Sequence, residues 1–377
     1  MRAMRMTALA AALITSLAAP PASGASLRDA VAPIVAREVH ALLPENTAGG
    51  VAVAVRHGGE TLFFNFGYAD SAAKRPLSED SLFNLGSLRK VFEATVLAEA
   101  AQQGALSLDD PVTKYLPELR GGGDITKVTL GELATHTSGL LLPQDHPPWP
   151  AEGYTRASFI ATLKAWSAEP GHPPGTRHTY THAGYILLQL ALERALGKPI
   201  GTLFAERITA PLGLSSTLVP ERGADTAHGG LTATLLARAV QGYDENGAPV
   251  GTPGNQQGYY DFPGTGQMFS SARDLAAFME ANLGERPAPP ALAAALVAAQ
   301  QGRFPITPHI AQALAWEVHA DAQPPIVGKN GGLNNTSTYL GLMPARKSGI
   351  VILVNRGDQD AASVGRKILR ALDPADP

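Results

Sequence analysis

GVAVAVRHGGETLFFNF, Gly50 to Phe66, sets two runs rich in valine and aromatic residues around His57-Gly58-Gly59-Glu60. Such runs on either side of a Gly-Gly pair predict a β-hairpin. Upstream, Ser26 to Leu43 carries Leu27, Val31, Ile34, Val35 and Val39 at helical spacing. Downstream, Ser87 to Gln103 turns helical, and Gly104 supplies a stop. From Leu106 to about Arg303 the chain reads as helices and long loops, with Pro and Gly dense between Pro143 and Pro174. Within this stretch Tyr185 to Leu196 is an apolar helix closed by Gly197. Ser271-Ala-Arg-Asp274 opens another, with a capping residue and a carboxylate three positions later. Strand signals return at Ala313 to Val318, Thr336 to Leu342 and Gly349 to Asn355, the last two around a turn at Pro344 to Ser348. A final helix is expected from about Ala361 to Leu372. Strands at both ends with helices between them predict an α+β architecture. One antiparallel sheet is built from both termini, and a mostly helical region is inserted into it.

The composition narrows the function. With 377 residues, 45% hydrophobic and 17% charged, the chain has ample material for a core and is not of the disordered class. The formal net charge is -3 and there is no lysine or arginine run, so a nucleic-acid partner is not expected. Arg2 and Arg5, an apolar run from Ala8 to Ala19 and small residues at Ser23-Gly24-Ala25 follow the order of a cleaved secretory signal. The run is too short for a stable membrane span. Residues 1–25 are therefore expected to be a signal peptide, and the mature protein to be periplasmic or secreted, and monomeric. There is no cysteine, which excludes disulfides, thiolate nucleophiles and Cys-based zinc sites.

Two segments carry candidate chemistry. Gly86-Ser-Leu-Arg-Lys90 places Ser87 at a helix start with Lys90 one turn later on the same face. A serine hydroxyl is a weak nucleophile until a neighbouring base accepts its proton, and a lysine with lowered pKa can do so. Taken alone, Ser-x-x-Lys also describes a capped helix start with a solvated lysine. The second segment, Arg177-His-Thr-Tyr-Thr-His-Ala-Gly-Tyr185, sets His178 and His182 four apart around Tyr180. These histidines read as zinc ligands, as acid–base groups or as polar loop residues. A zinc site would require a third ligand. Tyr180 alone reads equally as a core tyrosine, and Lys329, beside Gly331 and Gly332, as a turn lysine.

In order along the chain stand Leu82-Phe-Asn-Leu-Gly-Ser-Leu-Arg-Lys-Val-Phe92, Gly104 to Pro117, Leu133-Ala-Thr-His-Thr-Ser-Gly-Leu140, Pro174-Gly175 before Tyr180-Thr-His182, and Lys329-Asn-Gly331. Over nearly the whole mature chain this series resembles the serine β-lactamases and penicillin-binding DD-peptidases, and most of all the class C β-lactamases and their esterase relatives. The resemblance implies the serine β-lactamase/transpeptidase-like fold over residues 26–377 as one catalytic domain. Its α/β part would lie at about 26–85 and 312–377, and its helical part at about 86–311. It implies Ser87 as nucleophile, Lys90 as its proton acceptor and Tyr180 as a second acid–base group facing the substrate nitrogen. Lys329 would be a cation on an edge strand, with Asn330, Gly331 and Gly332 lining the substrate. The oxyanion hole would be the backbone N–H groups of Ser87 and Gly332. Gln144 resembles a side chain that contacts the substrate amide. His136 reads as a residue that hydrogen-bonds within its loop.

Two positions depart from the pattern: His182 replaces the usual asparagine, and Asn330 the usual threonine or serine. Both put substrate preference in doubt, and His182 is expected to add an ionisation near pH 6–7. The resemblance implies hydrolysis of the β-lactam amide of penicillin-, cephalosporin- or carbapenem-type compounds through a Ser87 acyl-enzyme, without a cofactor. The alternatives are an esterase or DD-peptidase acting on ester or peptidoglycan-like substrates, and a penicillin sensor that acylates without turnover.

Overall fold

The structure, a computed structural model, describes residues 26–142, 155–220, 231–254, 267–321 and 323–374. The expected signal segment and Gln144 lie outside the described residues.

Eleven strands are present among them. They are β1 (Gly50–His57), β2 (Glu60–Asp70), β3 (Arg75–Pro76), β4 (Phe83–Asn84), β5 (Phe269–Ser270), β6 (Phe304–Thr307), β7 (Ile310–Gln312), β8 (Glu317–His319), β9 (Ile326–Leu333), β10 (Thr336–Met343) and β11 (Ser348–Val354). Nine form one sheet in the order β3-β2-β1-β11-β10-β9-β8-β7-β6, while β4 and β5 pair separately. The expected hairpin is β1–β2, with Gly58-Gly59 at its tip. Strand β1 then pairs antiparallel with β11, from Val51 opposite Val354 to Arg56 opposite Gly349. The two termini thus build the centre of one sheet, as the strand distribution predicted.

The alternation along β1 shows why its sequence lacks a polar face. Val51, Val53 and Val55 enter a core with the terminal helices Leu27–Val39 and Ala361–Leu372. Ala52 and Ala54 enter the other core, which continues into the helical region. A strand covered on both faces has no side left for polar residues. On the helical side, Lys90–Gln102 is buried almost all round, and its Phe92 stacks on Phe278 at 4.3 Å. A helix enclosed on every side has no amphipathic stripe.

Three expectations are corrected. Ala313 to Trp316 is not strand but a buried connection between β7 and β8, closed by Ala313 N–H to Trp316 C=O at 2.7 Å. Six strands, not about three, follow the helical region. At the next helix start, Ser271 accepts the Asp274 N–H at 3.2 Å, but the Asp274 carboxylate turns away to Ser216 N–H (2.6 Å) and Thr217 Oγ1 (2.8 Å). That carboxylate ties the helix to a distant loop instead of closing a capping box.

Candidate active site

The nucleophile candidate lies at a junction that the sequence blurred. Gly86–Arg89 is a 3-10 turn, and the α-helix begins at Lys90. Gly86 sits at φ +54°, where glycine is strongly favoured, and its Cα faces the Gly332 backbone of β9. Gly331 is equally constrained. A methyl group there would fall on the Leu85 carbonyl, 2.5 Å from Thr338 Oγ1 and 2.7 Å from the Leu88 nitrogen. Gly86 and Gly331 therefore let β9 lie directly against the serine turn. Thr338 Oγ1 donates to Leu85 C=O at 2.9 Å, and the Thr336 hydroxyl is shared between Val354 C=O at 2.9 Å and Asn84 C=O at 3.2 Å. These bonds fasten β10 to the segment that leads into Ser87.

Ser87 Oγ receives two hydrogen bonds. Lys90 Nζ lies 2.9 Å away and Tyr180 Oη 2.7 Å away. Lys90 is fully buried, whereas Tyr180 is 39% exposed at the mouth of the site. The Lys329 ammonium stands 4.9 Å from the centre of the Tyr180 ring and Lys90 Nζ 5.4 Å from it. The structure thus gathers Ser87, Lys90, Tyr180 and Lys329 from three distant segments around one oxygen and one phenol.

Strand β9 is not an edge strand, as was expected of Lys329. It pairs with β10 along its length and with β8 at Ile326 to Gly328. The β8 pairing ends one residue before Lys329, so the edge is local and begins where the site begins. Asn330 and Gly332 are exposed, and Gly331 is buried against the turn. Asn330, Gly331 and Gly332 also border a cavity of about 630 Å³ that Asp244, Glu245 and Asp358 help to line.

The histidines divide. His182 is the first residue of the helix His182–Leu196, which Thr181 caps through the Gly184 N–H; the helix starts three residues earlier than its apolar run. The His182 ring meets the Tyr180 ring edge-on at 5.6 Å. Burial, then the charges of Lys90 and Lys329, lower its pKa to about 3. The expected ionisation near pH 6–7 is therefore not that of His182, which is neutral across the working range. His178 instead bonds Gln312 Oε1 of β7 through Nε2 at 3.0 Å. Among the described residues no three His, Asp or Glu side chains converge as a metal-ligand set, and the paired-histidine zinc reading has no third ligand there.

His136 does more than bond within its own loop: it holds the Tyr180 segment. Its carbonyl accepts the Thr179 N–H at 2.7 Å, and its Nδ1 accepts the Thr181 N–H at 3.3 Å. Its ring lies 4.2 Å from that of Tyr180 between them. Burial, with Lys329 and Lys90 next, holds its pKa well below the usual histidine value. The neutral ring can then accept at Nδ1. The signal was present in Thr135-His-Thr-Ser-Gly139, but the bonds span 43 residues or more, beyond any local pattern.

A serine bonded by a lysine and a tyrosine, with a second lysine across the phenol, is a site built for acyl transfer. Comparison with known proteins agrees. A family model described as Beta-lactamase matches residues 27–373. A β-lactamase of Pseudomonas fluorescens is 28% identical over 90% of this chain and 98% of its own length. A solved class C β-lactamase superposes with a TM-score of 0.79 at 26% identity, covering 93% of this chain and 98% of the other. The structure of a β-lactamase/D-alanine carboxypeptidase from Pseudomonas syringae gives 0.77 at 28% identity, covering 92% of this chain and all of the other. The chain belongs to the β-lactamase family. It is a serine hydrolase with the serine β-lactamase/transpeptidase fold of class C, a class that needs no cofactor.

Proposed function

We propose that this protein hydrolyses the amide of β-lactam antibiotics through an acyl-enzyme on Ser87. The observation that carries this reading is the pair of hydrogen bonds converging on Ser87 Oγ, from Lys90 at 2.9 Å and Tyr180 at 2.7 Å. A hydroxyl has one proton to give and lone pairs to receive. When Lys90 is neutral it takes the Ser87 proton as Oγ bonds to the lactam carbonyl carbon. The developing oxyanion is received by the backbone N–H groups of Ser87 and Gly332, whose segments the glycine contacts bring together. Preorganised donors of this kind are worth about 3–4 kcal/mol of barrier. Tyr180 then donates its proton to the lactam nitrogen as the C–N bond breaks. Lys329, behind the phenol, holds it in place and attracts the substrate carboxylate. Water then attacks the ester carbonyl as it gives its proton to the Tyr180 phenolate, and the ester bond breaks as Lys90 returns a proton to Ser87 Oγ. His182, with a pKa of about 3, is too weak a base to serve there.

The β-lactamase/D-alanine carboxypeptidase neighbour favours a second reading, transfer of the same acyl group from a D-alanyl peptide. Esterase activity and acylation without turnover complete the set. Mass spectrometry after mixing with a penicillin, a cephalosporin, a D-Ala-D-Ala peptide and a nitrophenyl ester distinguishes them. A Ser87 adduct that forms and is released with a β-lactam supports the lead reading. A lasting adduct indicates a sensor, turnover of the peptide or the ester alone indicates the other enzymes, and no adduct with any of the four refutes serine acyl transfer.

Export through the segment at residues 1–25 is part of the proposal. Among the described residues no helix is long and apolar enough to cross a membrane. N-terminal sequencing of the mature protein tests this, with cleavage expected after Ala25 or within a few residues of it.

A further inference from the structure

We propose that Arg89 is a positioning residue of this site, locking the serine turn from beneath to the helix that follows Tyr180. The inference rests on the acyl-transfer reading of Ser87, Lys90 and Tyr180.

Arg89 is wholly buried, next to Lys90 and two residues from Ser87. Its Nη2 lies 2.9 Å from the carboxylate of Glu93, also wholly buried, one helical turn on. Removing such a pair from water costs as much as or more than the attraction returns, and well-packed apolar residues often serve stability equally well. Stability alone therefore gives no reason for an arginine here. Its reach does. Nη2 also donates to Gln189 Oε1 on the helix His182–Leu196, and Nη1 donates to Gln267 Oε1 at 3.4 Å, just ahead of β5. The guanidinium lies 5.8 Å from the centre of the Phe204 ring. One planar fork thus ties the turn that carries Ser87 and Lys90 to three other segments.

The tie to Gln189 matters most. That helix begins at His182, two residues after Tyr180, and the Ser87–Tyr180 bond joins residues 93 apart in sequence. Gln189 Nε2 in turn donates to Glu193 Oε1 at 3.0 Å, which accepts the Ile200 N–H at 3.0 Å. The Arg89 contact therefore grips a helix that is itself held at its far end. Thr336 and Thr338 of β10 hold Asn84 and Leu85, the two residues that lead into the same turn. The nucleophile is fixed between sheet and helix, and Arg89 is the fastening on the helix side.

The test uses the full chain and four variants: Arg89→Lys, Arg89→Met, Gln189→Met and Asp274→Asn. Gln189→Met cuts the tie while leaving the Arg89–Glu93 pair intact, so it decides the matter should the arginine variants not fold. Asp274→Asn weakens a buried tether outside the site and calibrates the effect of lost stability. Three quantities are read: Tm, the fraction of protein acylated by a chromogenic cephalosporin, and the acylation rate per acylatable site. Misplacement of reacting groups by about 1 Å lowers rates on the order of 10²-fold. Arg89→Lys and Gln189→Met are expected to lose roughly 10- to 100-fold in per-site acylation rate, while Asp274→Asn lowers Tm at an unchanged per-site rate. Gln189→Met acylating at the wild-type per-site rate, whatever its Tm, overturns the inference. A wild-type protein that forms no adduct overturns the serine reading, and this one with it.

Discussion

Gly331→Ala tests how closely β9 and the serine turn must approach. The added methyl group would sit 2.7 Å from the Leu88 nitrogen and 2.5 Å from Thr338 Oγ1, and would fall on the Leu85 carbonyl oxygen. Two of the three neighbours are backbone, so no rotamer change relieves the contact. Against the nitrogen it lies about 0.7 Å inside ordinary van der Waals contact, and more against the carbonyl. Strand β9 must withdraw by that much or the turn must yield, and either movement separates the Ser87 and Gly332 N–H groups. Loss of one such donor typically lowers kcat by about 10²–10³, or about 3–4 kcal/mol. Gly332→Ala is the control, since a methyl group there meets only the Thr336 carbonyl oxygen at 3.8 Å. The assay is steady-state hydrolysis of a chromogenic cephalosporin, normalised to acylatable sites. Gly331→Ala is expected to lose 10²-fold or more in kcat with a smaller change in KM, and Gly332→Ala about tenfold at most. A Gly331→Ala enzyme within a few fold of wild type would refute the close-approach argument and the oxyanion site built on it.

The other substitutions follow from the same geometry. Ser87→Ala is expected to abolish both turnover and the covalent adduct while leaving Tm near wild type; residual hydrolysis close to the wild-type rate rules out the serine mechanism. Lys90→Arg keeps a cation but cannot release its proton at working pH, so acylation should fall by several orders of magnitude, and a mild effect in single-turnover kinetics assigns the base to Tyr180. His182→Asn should leave the shape of the pH–rate profile between pH 5 and 8 unchanged, because His182 with a pKa of about 3 is neutral throughout; disappearance of a limb near pH 6–7 contradicts that. The same shift has a stability consequence, since the unfolded chain takes up a proton at His182 near pH 6.5 and the folded chain only near pH 3. Its contribution is complete above pH 6.5 and is lost as pH falls toward 3, so Tm should drop less steeply on acidification in His182→Asn than in the wild type.

What could be read from the chain, and what could not, follows the range of the interactions involved. Val51 to Val55 and the Gly58-Gly59 turn form a hairpin whose strands are neighbours in sequence, and two β-rich runs around a Gly-Gly pair identified it. The pairing of β1 with β11 links residues about 300 apart, yet it too was legible, because strands clustered at the two ends leave few other ways to close a sheet. Ala313 to Trp316 misled for the opposite reason. The segment is apolar because it is buried, but its Ala313 and Trp316 carbonyls are taken by the Gln312 side chain rather than by a neighbouring strand. Periodicity reports burial and cannot say which partner satisfies a backbone. In the site, Ser87, Lys90, Tyr180 and Lys329 were legible as an ordered series of motifs. Arg89, Glu93 and His136 were not, although the first two stand inside or beside the first motif. In sequence an arginine and a glutamate four apart describe a solvated helix face. Only the packing of the His182–Leu196 helix and of Phe204 over them removes the water and turns a surface pattern into a buried tether. The imidazole at 182 shows the same dependence: its identity suggested a group that titrates near neutrality, and burial, followed by two lysines from other segments, keeps it uncharged.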